Sequence, residues 1–265
     1  MTKPLRTTLV ALLATAAALA SGLPAHAEPG NHAMGSQIAK HEGRSARPAT
    51  FDAAASVPGM DVSSWQGNVD WARAWANGAR FAYVKATEST TYRNPYFNQQ
   101  YGGSYNVGMI RGAYHFAAPN LTSGATQANY FVDNGGGWSP DGKTLPGLLD
   151  IEYNPYGGDT CYGIGQRAMV TWISDFVNTY RSRTGRWPVI YTATNWWNQC
   201  TGNLADYSQV SPLFIANYSG SPGPLPQRWL YHTIWQHADS GVFPGDQDLF
   251  NGTYDRLKVL ATNRD

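Results

Sequence analysis

Two carboxylates, Asp150 and Glu152, stand two residues apart in the run Leu148-Leu149-Asp150-Ile151-Glu152-Tyr153. The apolar run reads as a buried strand. Side chains at i and i+2 of a strand share a face, with Cα atoms about 6.5–7 Å apart, so both acids are expected to point into one space. Isolated charges are costly to bury. A carboxyl pair at about this spacing is what cleavage of a glycosidic bond requires, one group protonating the leaving oxygen and the other serving the anomeric carbon. The alternative is structural, with Asp150 pinned by backbone N–H groups at a strand end and Glu152 paired with an Arg or Lys.

The elements that must position this pair follow from the apolar pattern. Strands are expected near 59–63, 80–87, 109–116, 147–153, 188–192, 213–218, 231–237 and 247–251. Helices fit 69–77, 95–107, 123–134 and 165–183; in the last, Met169, Trp172, Ile173, Phe176 and Tyr180 recur at helical spacing and read as core. Strands alternating with helices indicate parallel βα units. The fold class expected is α/β, an irregular eight-stranded TIM-like (β/α) barrel with fewer than eight helices, because residues 203–227 are too rich in Pro, Gly and Ser for many full ones. Barrel chemistry sits at the C-terminal ends of the strands. Polar residues recur there: Asp61, then Lys85 and Glu88, Tyr114 and His115, Asp150 and Glu152, Asn217 and Tyr218, and Trp235 and Gln236, while Asp246 and Asp248 begin or sit on the eighth strand.

Residues 1–27 read as a secretory signal peptide, with Lys3 and Arg6 before an apolar stretch and Ala25-His26-Ala27 as cleavage site. That stretch is too short to span a bilayer, so a soluble, secreted, extracellular product is expected. Residues 28–56 mix charges with small residues and show no clear apolar period; they read as a pro-segment or flexible arm outside the core, with a helix around 36–42 possible but not required. Residues 57–265 suit one catalytic barrel domain. The formal charge of +1 falls to near −1 when Lys3 and Arg6 leave with the signal, so no basic field argues for nucleic acid or membrane. Charged residues are only 14% of the chain while aromatics reach 13%, a balance that suits an uncharged polymer such as a glycan, although most of the aromatics are expected to be core. The two cysteines, Cys161 and Cys200, are expected to pair in an exported protein. No Gly-x-Ser-x-Gly elbow, His-Glu-x-x-His motif or phosphate-binding Gly-Lys loop is present.

Six pieces in order resemble the secreted lysozymes of glycoside hydrolase family 25, nearest to the N,O-diacetylmuramidase-like branch. They are the stretch from Gly59 to Gln66, Val84-Lys85-Ala86-Thr87-Glu88, Arg111-Gly112-Ala113-Tyr114-His115-Phe116, Leu149-Asp150-Ile151-Glu152, Ile234-Trp235-Gln236, and the stretch from Asp246 to Gly252. The chain carries Ser89 and Asp248 where the family pattern often has Gly and Asn. The resemblance implies cleavage of the β-1,4 bond between N-acetylmuramic acid and N-acetylglucosamine in peptidoglycan. It also implies a Cys161–Cys200 bridge. Glu152 is then the general acid. Asp150 is the partner anion, with the sugar's 2-acetamido group as internal nucleophile; Asp150 as a direct nucleophile or as the base of an inverting scheme stays open. Asp61, with Asp246 or Asp248, would position substrate or tune the pair. Lys85, Glu88, Tyr114, Tyr218 and Trp235 are the further candidates for sugar contact. No metal or cofactor is implied, the partner is the peptidoglycan glycan strand, and a monomer is expected. A chitinase-like enzyme and a non-catalytic glycan-binding barrel are the competing readings.

Overall fold

The computed structural model describes residues 32–44 and 56–262, together with Met1; otherwise the expected signal peptide lies outside the described residues. A short helix, α1 (Ile38–Glu42), precedes the barrel. The barrel begins β1 (Ser56–Val62), α2 (Trp71–Ala76), β2 (Phe81–Glu88), β3 (Tyr92–Arg93), α3 (Phe97–Asn106), β4 (Ile110–Phe116), α4 (Gly124–Phe131) and β5 (Leu148–Asp150). It continues α5 (Gln166–Thr184), β6 (Val189–Thr192), α6 (Thr194–Thr201), β7 (Leu213–Ala216), β8 (Ile234–Ala238), β9 (Asp246–Asn251) and α7 (Tyr254–Thr262).

The strands run in the order β1-β9-β8-β7-β6-β5-β4-β2, and β1 pairs with β2 to close an eight-stranded barrel, with β3 as a short flap on β2. All eight positions of β2 are buried, as expected of a strand covered on one side by helices and on the other by the barrel interior. Local chemistry fixes the helix ends. Asp70 and Ser123 accept backbone N–H groups at the starts of α2 and α4. Gly185 ends α5 at φ 73°, a conformation that a residue without Cβ adopts at least cost. The apolar stripe of α5 expected from the sequence, Met169 to Tyr180, is buried.

Parts of the barrel differ from the sequence expectation. The strand expected over 147–153 ends at Asp150, so Glu152 lies just past the ladder although it is fully buried. The closing strand β9 runs antiparallel to both β8 and β1. Only seven residues join β8 to β9, whereas a parallel crossover needs a dozen or more. Helices α6 and α7 form where none was assigned. Cys161 and Cys200 are disulfide-bonded as expected, with Cα atoms 5.3 Å apart, tying the loop after β5 to α6.

Residues 32–44 do not stand apart from the barrel. Met34 and Ile38 are fully buried and belong to the main hydrophobic core. This differs from the sequence reading, in which the whole stretch 28–56 lay outside the core. Two apolar anchors four residues apart are too few to register as a period in a segment otherwise rich in charge.

Candidate active site

Strand register decides which polar side chains meet. Asp61 on β1 lies directly opposite Asp246 on β9, and Gln236 on β8 lies opposite Asp248. Alternate residues of a strand share a face, so Asp61, Asp246, Asp248 and Gln236 all face the barrel axis. Asp248 pairs with Gly59, two residues below Asp61, so it sits one layer deeper than Asp246. Asp150 on β5 is flanked in register by Phe116 on β4 and Tyr191 on β6.

Gln236 is the hub of this interior. Its amide Nε2 donates to Asp61 Oδ2 at 2.7 Å and to Asp246 Oδ2 at 3.0 Å. Its Oε1 accepts from the hydroxyls of Tyr191 and Tyr218, each at 2.6 Å. A side-chain amide offers two donor hydrogens and two acceptor lone pairs, so the residue is fully used. Asp150 and Asp248, by contrast, have no hydrogen-bond partner on either carboxyl oxygen, and neither has Glu152 Oε2.

The electrostatic consequence is a reservoir of protons. Burial, reinforced by the Glu152 charge, pushes the Asp150 carboxyl well above the usual range, with Lys85 pulling the other way. Burial pushes Glu152 up to about 8, against the Gly35 and Gln37 backbone N–H groups that favour its charged form. Asp61, Asp246 and Asp248 are also raised, first by burial and then by one another. Five acids in one dry space cannot all ionise. A carboxyl that keeps its proton at neutral pH can donate it to a leaving group.

Lys85 and Glu88 form a buried ion pair at 2.5 Å beside this space. Glu88 also accepts from the Tyr156 hydroxyl at 2.6 Å. Burial alone would raise Glu88, but His32 and Lys85 outweigh it and hold the carboxyl at about 2. Ser89, next in the chain, adopts φ 49°, the left-handed region where glycine is least strained. Tyr114 OH is buried and accepts from the Met34 N–H. Trp235 is not brought to the acids. It alternates with Gln236 along β8, and its indole N–H donates to the Asn217 carbonyl at 2.8 Å. His115 also faces outward, between Thr87 and Gln127 at 2.8 and 3.0 Å, where burial lowers its pKa to about 4. Among the described residues, no three or more His, Cys, Asp or Glu side chains are placed to hold a metal ion.

Comparison with known proteins decides the family. Residues 60–246 match glycosyl hydrolases family 25. The chain belongs to that family. It is similar to an N,O-diacetylmuramidase of Arthroderma benhamiae, 49% identical over 208 residues that cover 78% of this chain and 88% of the relative. It is also similar to the solved muramidase from Acremonium alcalophilum, with 57% identity and a TM-score of 0.76, covering 78% of this chain and 99% of that one. A bacterial lysozyme structure from Streptomyces coelicolor gives 45% identity and a TM-score of 0.76, covering 81% of this chain and all of that one. The protein is therefore a glycoside hydrolase with the closed α/β barrel of its family. Its family match begins at residue 60, so residues 32–44 lie outside it.

Sequence reasoning placed Gln236 at a strand end without giving it a role, and it missed Tyr191 and Tyr156. The signal for Tyr191 was available in Val189-Ile190-Tyr191-Thr192, where the phenol alternates with apolar residues on a strand expected to line the barrel.

Proposed function

We propose that this family 25 hydrolase is a secreted lysozyme that cleaves the β-1,4 bond between N-acetylmuramic acid and N-acetylglucosamine in peptidoglycan. The observation that carries the mechanism is the buried Asp150–Glu152 pair at the barrel mouth. Glu152, kept protonated by burial, serves as general acid to the leaving glycosidic oxygen. Asp150, with both oxygens unpartnered, is free to orient the substrate's 2-acetamido group; with the pair's proton held on Glu152 and the Lys85 charge favouring its ionised form, it stabilises as the anion the positive charge on an oxazolinium-like intermediate, giving retention at the anomeric carbon. Asp61 and Asp246, bridged through Gln236, set the charge of the pair from the opposite wall. Asp248, one layer deeper, acts on the pair through its charge. Tyr114 and Tyr218 line the mouth, and Lys85 and Glu88 border it.

Names of relatives at 45–57% identity support the substrate class. The disulfide supports export to an oxidising compartment. No helix among the described residues is long and apolar enough to cross a membrane. The test is digestion of purified peptidoglycan with reducing-end analysis by mass spectrometry. Muramic acid at the new ends is expected, and glucosamine ends would refute the bond assignment. Glu152→Gln is expected to lose about 10²–10⁴-fold in kcat with unchanged folding. An inverted product anomer by NMR would overturn the acetamido mechanism.

A further inference from the structure

Residues 32–44 fill the mouth where a glycan would have to enter. Gly35 N–H donates to Glu152 Oε1 at 2.6 Å, taking the acid's own oxygen. Met34 N–H donates to Tyr114 OH at 3.1 Å. His32 donates its backbone N–H to Glu88 Oε2 at 3.0 Å and places Nδ1 2.7 Å from Oε1, while its carbonyl accepts from Lys85 Nζ. One segment thus engages polar groups of β2 and β4 and the acid beyond β5.

The fit at Gly35 is close. Its φ is 76°, and a Cβ there would fall 2.4 Å from Tyr218 OH, 2.5 Å from Gln236 Oε1 and 2.8 Å from Tyr191 OH. Only glycine can lie against this cluster. Beyond the mouth the segment is fastened to the rim. The His41 ring stacks on Tyr153 at 4.1 Å, Tyr153 OH donates to Glu42 at 2.7 Å, and Arg44 pairs with Asp239. A cavity of about 500 Å³ stands open at the opposite end of the barrel, beside Ser211, Trp229 and Phe250.

We infer that residues 32–44 are a built-in inhibitor, a pro-segment that occupies the substrate cleft and withholds Glu152 from glycan until it is displaced or removed. The inference rests on the muramidase reading for the identity of the excluded substrate, but the occupation of the cleft does not depend on it. The family match, residues 60–246, begins after the segment.

The test compares the full chain with Gly35→Leu, whose side chain cannot enter the Tyr191–Tyr218–Gln236 cluster, and with Lys40→Ala, an exposed position on the segment. Gly35→Leu is expected to cleave peptidoglycan about tenfold faster or more, and a synthetic peptide of residues 32–44 added at about millimolar concentration, the level a tether supplies, to slow it again. Lys40→Ala is expected to match the parent. Amide hydrogen exchange gives the second readout: residues 34–37 protected in the parent and unprotected in Gly35→Leu. Equal rates for the parent and a stably folded Gly35→Leu whose amides at 34–37 are unprotected overturn the inhibitor, whether or not the parent's are protected. If no chain cleaves peptidoglycan, the muramidase reading falls and exchange decides the inhibitor. Protection lost only in Gly35→Leu upholds it, and the absence of protection in the parent refutes it.

Discussion

Replacing Gln236 with leucine removes the amide while nearly conserving shape, and the structure sets the consequence. Four buried groups lose their partner at once: the carboxyls of Asp61 and Asp246 and the hydroxyls of Tyr191 and Tyr218. Each buried polar group left unsatisfied costs about 1–3 kcal/mol. The full sum is not expected, because the two phenols can turn their hydrogens toward the two carboxyls and repair part of the loss. A net destabilisation of about 3–5 kcal/mol follows, which for a domain of this size lowers the Tm by roughly 10 °C. The effect should reach the chemistry as well. With the amide gone, Asp61 and Asp246 hold their protons more tightly, fewer negative charges face Glu152, and Glu152 ionises at lower pH. Urea unfolding followed by tryptophan fluorescence measures the first effect, and the alkaline limb of the pH–rate profile of the uninhibited Gly35→Leu background measures the second. A Gln236→Leu chain within about 1 kcal/mol of its parent, with an unmoved alkaline limb, would refute the hub.

Further outcomes follow from other contacts. Glu152 must carry a proton to act as acid, and burial holds its carboxyl above the usual range, so activity of the uninhibited Gly35→Leu chain is expected to fall as pH rises into the alkaline range; a rate that climbs there would contradict the assignment. Lys85→Met leaves buried Glu88 with His32 as its remaining basic partner and is expected to cost about 3 kcal/mol, seen as a lower urea midpoint. Cys161→Ser with Cys200→Ser opens a loop with a sequence separation of 39 and is expected to cost up to about 4 kcal/mol, seen as a drop in Tm that reducing agent no longer deepens. His115 is neutral in the fold, with its pKa lowered from 6.5 to about 4 by burial. The unfolded chain therefore binds the proton more readily, and stability complete above pH 6.5 is lost as pH falls toward 4, by roughly 3 kcal/mol. His115→Gln should flatten that slope in pH-dependent denaturation.

The sequence by itself determined the barrel, its polar end and the acids. Strand and helix periods are set by which residues must be buried, and burial is local enough to be read from spacing. Asp150 with Glu152 and Asp61 were legible as strand-end carboxylates for this reason, whereas Asp246 and Asp248 read as the start of the last strand and share that barrel end because β9 runs antiparallel. The pairing of two cysteines needed only an exported chain. What the sequence could not supply was register across strands distant in the chain. Asp61 and Gln236 are 175 residues apart, and only barrel closure joins them. The order of Asp246 above Asp248 came from the antiparallel pairing of β9 with β1, itself forced by a connection too short to cross over. The outward turn of Trp235 follows from the inward turn of Gln236 beside it. Residues 32–44 show the limit most clearly. Much of their anchorage to the site runs through one close-fitting glycine, two apolar side chains and the backbone groups of His32, Met34, Gly35 and Gln37, and backbone groups carry no mark in a sequence. Their role exists only where the folded barrel offers Glu152, Tyr114 and Lys85 to receive them.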